Sequence, residues 1–328
     1  MEMIKHLDWK MPTLSSYHYS AAAEIALSTN KTGRNQLFNK CIGLSCDTKF
    51  LDGYTGYIVC INNSSLRIVG NISFNELSLK YALDNCDDTI QRMINDGLFV
   101  YFAGIDDYFV PGKSLYQQRH RSHDGLICGY DNSNSTYDMI AYNTEWVFSE
   151  FKVEKDVFIQ SMREGMAQGF NSYITGIKAI DREVNLDPFG IKEKISDYLN
   201  SEGKYPLNYR GIVKGQVVYD YFVMYINKIL NGSIPHERID WRPMRVIWEY
   251  QSLMYERINK VEDCGFSYSC ISKDYKNLVD EFNKLRLLYA ICSKKPKTNF
   301  LLSIKDKLNE FKNKENQLLS EFIRCFKI

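Results

Sequence analysis

Near residue 150 the spacing of apolar residues in this chain changes period, and that change limits the folds open to it. Before it, apolar residues come in short runs bounded by polar turns. From about residue 154 they recur at three- and four-residue steps through 154–166, 188–200, 215–230, 242–262, 272–293 and 300–326. Short β-branched or aromatic runs suit strands, whereas the longer period suits amphipathic helices. The sequence therefore predicts an α+β protein: helix plus antiparallel sheet over residues 1–150, then a mostly helical domain over 151–328. A length of 328 residues accommodates two domains of ordinary size.

Within the first part, Ser20–Ser28 favours helix and follows the polar pair Ser15–Ser16, a start signal. Segments 57–61 and 66–69 read as short strands joined through Asn62-Asn63-Ser64-Ser65. Residues 84–96 form an amphipathic pattern with Ile90, Met93 and Ile94 on one face. Strands are expected at 98–103, 125–130 and 136–142, the last two paired antiparallel through the polar turn 131–135. In the second part, Leu278, Phe282, Leu285, Leu288 and Tyr289 make one stripe. Leu301, Ile304, Leu308, Phe311, Leu318, Leu319 and Phe322 make another. Both read as helix-bundle core.

Composition removes several classes. With 41 basic against 40 acidic residues, the chain lacks the excess positive charge of a general nucleic-acid binder. No apolar stretch approaches membrane-spanning length and the N-terminus has no signal-peptide core, so no membrane association and a cytoplasmic location are expected. Nine cysteines without a C-x-x-C pair read as reduced thiols, most of them small core residues. The high tyrosine content, 23 residues, suits half-buried and partly polar surfaces.

The segment most suggestive of chemistry is 104–131, G-I-D-D-Y-F-V-P-G-K-S-L-Y-Q-Q-R-H-R-S-H-D-G-L-I-C-G-Y-D. A strand ends at Asp106-Asp107-Tyr108, a Pro-Gly loop follows, and His123 opens the next strand. A histidine held at the mouth of a strand is placed to act as general base. Its nucleophile would come from elsewhere, at a helix N-terminus where the dipole favours an anion and backbone amides can hold an oxyanion. Tyr116 and Arg119 are candidate substrate contacts. His120 and His123 make H-x-x-H, but no third ligand stands nearby in sequence, and no metal is expected.

The pattern D-D-Y-F-V-P-x4-Y-x3-H-x2-H-x5-G-Y-D resembles the N-terminal domain of butirosin-biosynthesis acyltransferases and their relatives from nonribosomal peptide gene clusters. The likeness extends through Tyr219-Asp220, Ile239-Asp240-Trp241-Arg242-Pro243-Met244, Trp248-Glu249-Tyr250 and Met254-Tyr255-Glu256-Arg257-Ile258, covering most of residues 12–262. It implies a papain-like, cysteine-protease-type N-terminal domain. It also implies an acyltransferase that moves an acyl group from a carrier-protein thioester to an amine, in antibiotic or other specialised metabolite assembly. No bound cofactor is implied. The acyl group would arrive on the phosphopantetheine arm of an acyl or peptidyl carrier protein, and the acceptor would be a small-molecule amine. Lys113, Arg119 and Arg121 are then candidates for docking an acidic carrier, and the oligomeric state is open, a homodimer included.

The family places a cysteine at the start of the first helix, a histidine at the G-Y-D strand and an aspartate on the return strand. His123 matches the histidine. The helix start reads Leu14-Ser15-Ser16-Tyr17-His18-Tyr19-Ser20, with Ser16 where the cysteine is expected, and Ala141 stands where the acid is expected. Three readings follow. Ser16 is a nucleophile activated by His123, with Asn143 or Asp138 orienting the imidazole. Alternatively, Cys41 or Cys46 takes over, or the site is degenerate and binds an acyl chain, metabolite or carrier protein without turnover. A thioester or amide hydrolase is a weaker alternative. Tyr17, His18, Asp106, Tyr116 and His120 are the expected substrate-binding residues.

Overall fold

The structure is a computed structural model that describes residues 3–52, 59–61, 72–78, 85–201, 211–268, 270–295 and 297–326. It is α+β, with an antiparallel sheet and a C-terminal helical region. The strands are β1 (Ile4–His6), β2 (Leu44–Asp47), β3 (Val59–Ile61), β4 (Ile72–Ser78), β5 (Phe99–Asp106), β6 (Ser122–Asp131), β7 (Thr136–Tyr142), β8 (Phe148–Glu154), β9 (Tyr173–Ala179) and β10 (Ile212–Lys214). The helices are α1 (His18–Ser28), α2 (Gly33–Lys40), α3 (Cys86–Asn95), α4 (Lys155–Ala167), α5 (Pro188–Leu199), α6 (Val218–Leu230), α7 (Arg242–Asp263), α8 (Ser272–Lys294) and α9 (Thr298–Arg324). The turn proposed at 62–65 and the strand at 66–69 lie outside the described residues. No helix among the described residues is long and apolar enough to cross a membrane.

Packing divides the chain into two compact units, Met1–Gln36 with Ser65–Val184, and Leu37–Ser64 with Asn185–Ile328. The first unit runs past the change of period near 150. Helix α4 has the expected helical spacing, yet Phe158 and Met162 bury against strand residues of the first unit, and β9 pairs with β4 and β5.

The first unit is one seven-stranded antiparallel sheet in the order β4-β9-β5-β6-β7-β8, with β1 pairing the far end of β6. Strand β5, FVYFAGID, is buried on almost every residue, which its position between β9 and β6 explains. Val100, Phe102, Ile127, Met139 and Ala141 join Ile90, Met93 and Ile94 of α3 in one core. Helix α1 is buried around its whole circumference, from Ser20 to Leu27. Three consecutive alanines let it lie close to its neighbours. Its buried Glu24 accepts from the amides of Thr13 (2.9 Å) and Leu14 (2.8 Å) and pairs with Arg34 at 2.7 Å. This charge is fully partnered, and it fixes the chain just ahead of α1.

A bulge in β5 sets the register around His123. The pairing shifts between Ala103 and Ile105, so that Ile105 faces His123 and Asp106 faces Ser122. Gly104 has φ +76°, and a Cβ there would come within 2.6 Å of Ser172 Oγ and 2.7 Å of the Asn171 carbonyl. Only glycine meets both demands.

The second unit holds the last residues of α2, from Leu37, a small sheet ordered β10-β2-β3, and helices α5–α9. Most of the two stripes falls inward: Leu278, Phe282, Leu285 and Tyr289 on α8, and Leu301, Ile304, Leu308, Phe311, Leu319 and Phe322 on α9 are buried, whereas Leu288 and Leu318 are half-buried. Arg257 of α7, fully buried, donates to the carbonyls of Phe38 (2.8 Å) and Cys41 (2.7 Å) at the end of α2. A cation suits a helix C-terminus, where the last carbonyls carry the negative end of the dipole. Asp240 accepts the Arg242 amide at 3.0 Å, and Tyr289 donates to its carbonyl at 3.1 Å. The I-D-W-R-P and M-Y-E-R-I segments thus tie helices together.

Candidate active site

Two imidazole–carboxylate pairs converge in the first unit at the start of α1 and the start of β6. His123 Nδ1 lies 2.7 Å from Asp107 Oδ2, and His18 Nδ1 lies 2.8 Å from Asp124 Oδ1. The two rings meet edge to face with centroids 5.0 Å apart. The Tyr142 amide donates to His18 Nε2 at 3.3 Å, which fixes His18 as the Nδ1–H tautomer. His123 has its Nδ1–H on Asp107, so its Nε2 is the nitrogen left to accept a proton.

Burial and charge act in opposite directions here. Burial, reinforced by the nearby Lys113 ammonium, pushes His123 down to about 4, although the Asp107 hydrogen bond pulls the other way. Burial alone would raise Asp107, but the His123 hydrogen bond and the Lys113 charge outweigh it and hold the carboxyl below its ordinary value. Lys113 Nζ is 3.6 Å from Asp107 Oδ1, and the side chain is buried, which lowers its own pKa. For Asp124, burial is likewise outweighed by His18 and by the Tyr101 hydroxyl, which donates to Oδ2 at 2.6 Å. At neutral pH His123 is therefore an uncharged imidazole backed by the Asp107 carboxylate.

Helix α1 begins at His18, and the side chain of its N-cap residue Tyr17 makes no capping hydrogen bond. The leading amides of an α-helix have no intrahelical acceptor and carry the positive end of the dipole. His18 is therefore the α1 residue that meets His123. Ser16 lies two residues ahead of the helix, and among the described residues no hydrogen bond joins it to His123. Cys41 and Cys46 are buried and belong to the second unit, whereas His123 belongs to the first.

The orienting acid is also elsewhere than expected. Asp138 pairs with Lys152 at 2.8 Å. The Asn143 side-chain oxygen accepts from the amides of Glu145 (2.9 Å) and Val147 (3.0 Å), closing the β7–β8 turn. Neither bonds to His123. Asp106 is buried and braces its own loop, accepting from the amides of Tyr108 (3.1 Å) and Arg121 (3.2 Å) and pairing with His120 at 2.6 Å. His120 in turn stacks on Tyr108, with centroids 4.4 Å apart. Consecutive aspartates thus serve the two histidines of H-x-x-H separately, so those imidazoles do not share a ligand.

Tyr116 is exposed and accepts from Gln117. Tyr17 stacks on Tyr19. Arg119 and Arg121 are exposed, but buried Lys113 is unavailable as a docking cation. Asp107, Asp124 and Tyr101 are the site residues that sequence reasoning missed, and Lys113, expected at a carrier-docking surface, lies instead beside Asp107. Asp107 stands in the D-D-Y-F motif itself, but the register that selects it over Asp106 comes from the Gly104 bulge.

The class defined so far is an α+β protein with an aspartate-held histidine beside a helix N-terminus. Compared with known proteins, the chain matches no family model and no curated sequence.

Proposed function

We propose that this protein is an acyltransferase that joins a thioester-borne acyl group to an amine, with His123 as general base. The observation that carries the reading is the Asp107–His123 pair at 2.7 Å, which presents an unprotonated Nε2 beside the start of α1. A strand histidine facing a helix N-terminus is the arrangement that the papain-like resemblance implies, and the residue pattern at 104–131 supports the same family.

The proposed route needs no enzyme nucleophile. A thioester is already activated, so positioning, proton removal and oxyanion stabilisation suffice. The amine nitrogen attacks the thioester carbonyl carbon, and His123 Nε2 takes the proton that nitrogen sheds. The carbon–sulfur bond then breaks, and the imidazolium returns the proton to the leaving thiolate of the phosphopantetheine arm. Leading amides of α1 stabilise the oxyanion between those steps.

The test is incubation with acyl-loaded carrier proteins and candidate amines, followed by intact-mass and product analysis. Amide formation by the intact protein, lost in His123→Ala and retained in Ser16→Ala, is expected. Tight carrier or acyl binding without product would overturn the reading in favour of a non-catalytic binding protein. That second reading is favoured by one observation: the α1 residue opposite His123 is an imidazole instead of a thiol or hydroxyl.

A further inference from the structure

A second cluster lies on the same sheet, built from three strands that are distant in sequence. His6 on β1, Cys128 on β6 and Glu150 on β8 bring their ligand atoms within 4.8 Å of one another. His6 Nε2 is 3.1 Å from Glu150 Oε1, Cys128 Sγ is 3.7 Å from His6 Nε2, and Cys128 Sγ is 3.6 Å from Glu150 Oε2. A tetrahedral zinc ion with bonds of about 2.3 Å to sulfur and about 2.0–2.2 Å to nitrogen and oxygen holds such ligand atoms about 3.3–3.7 Å apart. The cluster is close to that spacing. From this geometry we propose that His6, Cys128 and Glu150 form a three-ligand site for a zinc-like divalent cation.

The backbone is shaped for this juxtaposition. The β6–β7 register slips between Ile127 and Gly129, making Cys128 the extra residue of a bulge. A bulge re-aims the side chain it carries. Strand β1 pairs His6 with Gly129, and the Leu7 amide donates to the Cys128 carbonyl at 2.8 Å. A Cβ on residue 129 would lie 2.8 Å from the Lys5 carbonyl and 3.1 Å from His6 Cδ2. The absence of a side chain there lets β1 and the imidazole settle beside the thiol.

The donor set and its surroundings point to zinc or a close relative. Thiolate, imidazole and carboxylate together are borderline-soft ligands, unlike the all-oxygen sets that calcium and magnesium take. Trp9 Nε1 donates to Glu150 Oε2 at 2.6 Å, an outer contact of the kind that orients a metal-binding carboxylate. His6 and Glu150 are 38% and 31% exposed, so solvent can reach the fourth corner of the tetrahedron, while Cys128 closes the inner one. On binding, the Cys128 thiol loses its proton to solvent as the sulfur–metal bond forms, so affinity should rise with pH. The site is distinct from the His18–His123 pair, with the Phe148 ring packed against both Trp9 and His18.

The full chain is titrated with Zn2+ by calorimetry after chelation, and with Co2+ by absorption. One equivalent should bind, and the cobalt form should show a thiolate-to-metal charge-transfer band with tetrahedral d–d bands. Cys128→Ser should abolish the charge-transfer band. His6→Gln and Glu150→Gln should each weaken zinc binding by roughly 100-fold or more, and Trp9→Phe by about 10-fold. Absence of stoichiometric binding, a cobalt spectrum without a sulfur band, or an undiminished band in Cys128→Ser would each overturn the proposal. If Cys128→Ser does not fold, the wild-type cobalt spectrum and the two glutamine variants decide. The outcome is independent of acyl transfer, which His123→Ala tests separately.

Discussion

Asp107 stands between His123 and Lys113: one carboxylate oxygen accepts the His123 Nδ1–H at 2.7 Å, and the other lies 3.6 Å from Lys113 Nζ. Aspartate and lysine are both almost wholly buried, at 2% and 1% side-chain exposure. The turn after β5 therefore orients His123, and its proton affinity, depressed first by burial, is further set by Lys113 and Asp107.

Asp107→Asn should lower amide formation by about 10²–10⁴-fold, because an amide at this position no longer fixes the imidazole tautomer. Asp138→Asn and Asn143→Ala should leave turnover within a few-fold of wild type. Steady-state rates with circular dichroism as a folding control decide this. Equal losses in Asp107→Asn and Asp138→Asn would remove the assignment.

The acid limb of the rate profile should fall near pH 4, well below the ordinary imidazole value of 6.5. Between those values an unfolded chain binds a proton that native His123 refuses, so stability is lost as pH falls from 6.5 towards 4. Lys113→Met removes one of the influences that depress His123, and its acid limb should move upward. NMR titration of the ring provides the check.

Ser16→Ala should retain transfer within about threefold, since a general-base route uses no acyl-enzyme and Ser16 does not bond to His123. Intact mass should show no acyl adduct on the wild-type protein during turnover. An adduct that disappears in Ser16→Ala would establish the serine route instead.

Glu315 lies in the α9 stripe between Phe311 and Leu319 and is fully buried. It accepts from the hydroxyls of Tyr198 (3.0 Å) and Tyr275 (3.1 Å). Burial raises its pKa to about 7, against hydrogen bonds that lower it. A carboxyl raised in the native state favours folding below its ordinary value of 4.5, and that advantage fades as pH climbs to about 7. Glu315→Gln should flatten this slope, shrinking the stability difference between pH 5 and pH 8 by about 1–3 kcal/mol. Denaturant unfolding at both pH values measures it.

Arg257→Met should destabilise the protein by about 3–5 kcal/mol, because it removes buried guanidinium hydrogen bonds to carbonyls at the end of α2. Arg257→Lys should recover little, because one ammonium cannot match the guanidinium fork that reaches both Phe38 and Cys41. Thermal unfolding reports both.

Most of the helices and several strands were legible because their apolar spacing follows the local period. The expected patterns at 84–96, 188–200, 242–262 and 272–293 coincide with α3, α5, α7 and α8 to within one or two residues. The site was legible only in part. His123 and its strand were recognisable, and so was a helix starting near Ser16. Asp107 over Asp106, and His18 over Ser16, depend on which way a side chain points after a bulge or a helix start, and no periodicity encodes that. Tyrosine content was visible as a total. Its gathering of Tyr198 and Tyr275 around Glu315 was not, because the carboxylate occupies an apolar-stripe position that a hydropathy count skips.

What the sequence determined alone is the α+β class, the amphipathic faces of α3 to α9 and the hairpin of β6 and β7, all fixed by contacts within a few residues of one another. Only the tertiary structure decided that Asp107 holds His123, that α4 and β9 complete the first unit, and that His6, Cys128 and Glu150 meet. Those pairings join residues separated by 16 to 144 positions. Their geometry comes from strand register and two glycines, Gly104 and Gly129, that allow close approach of backbones.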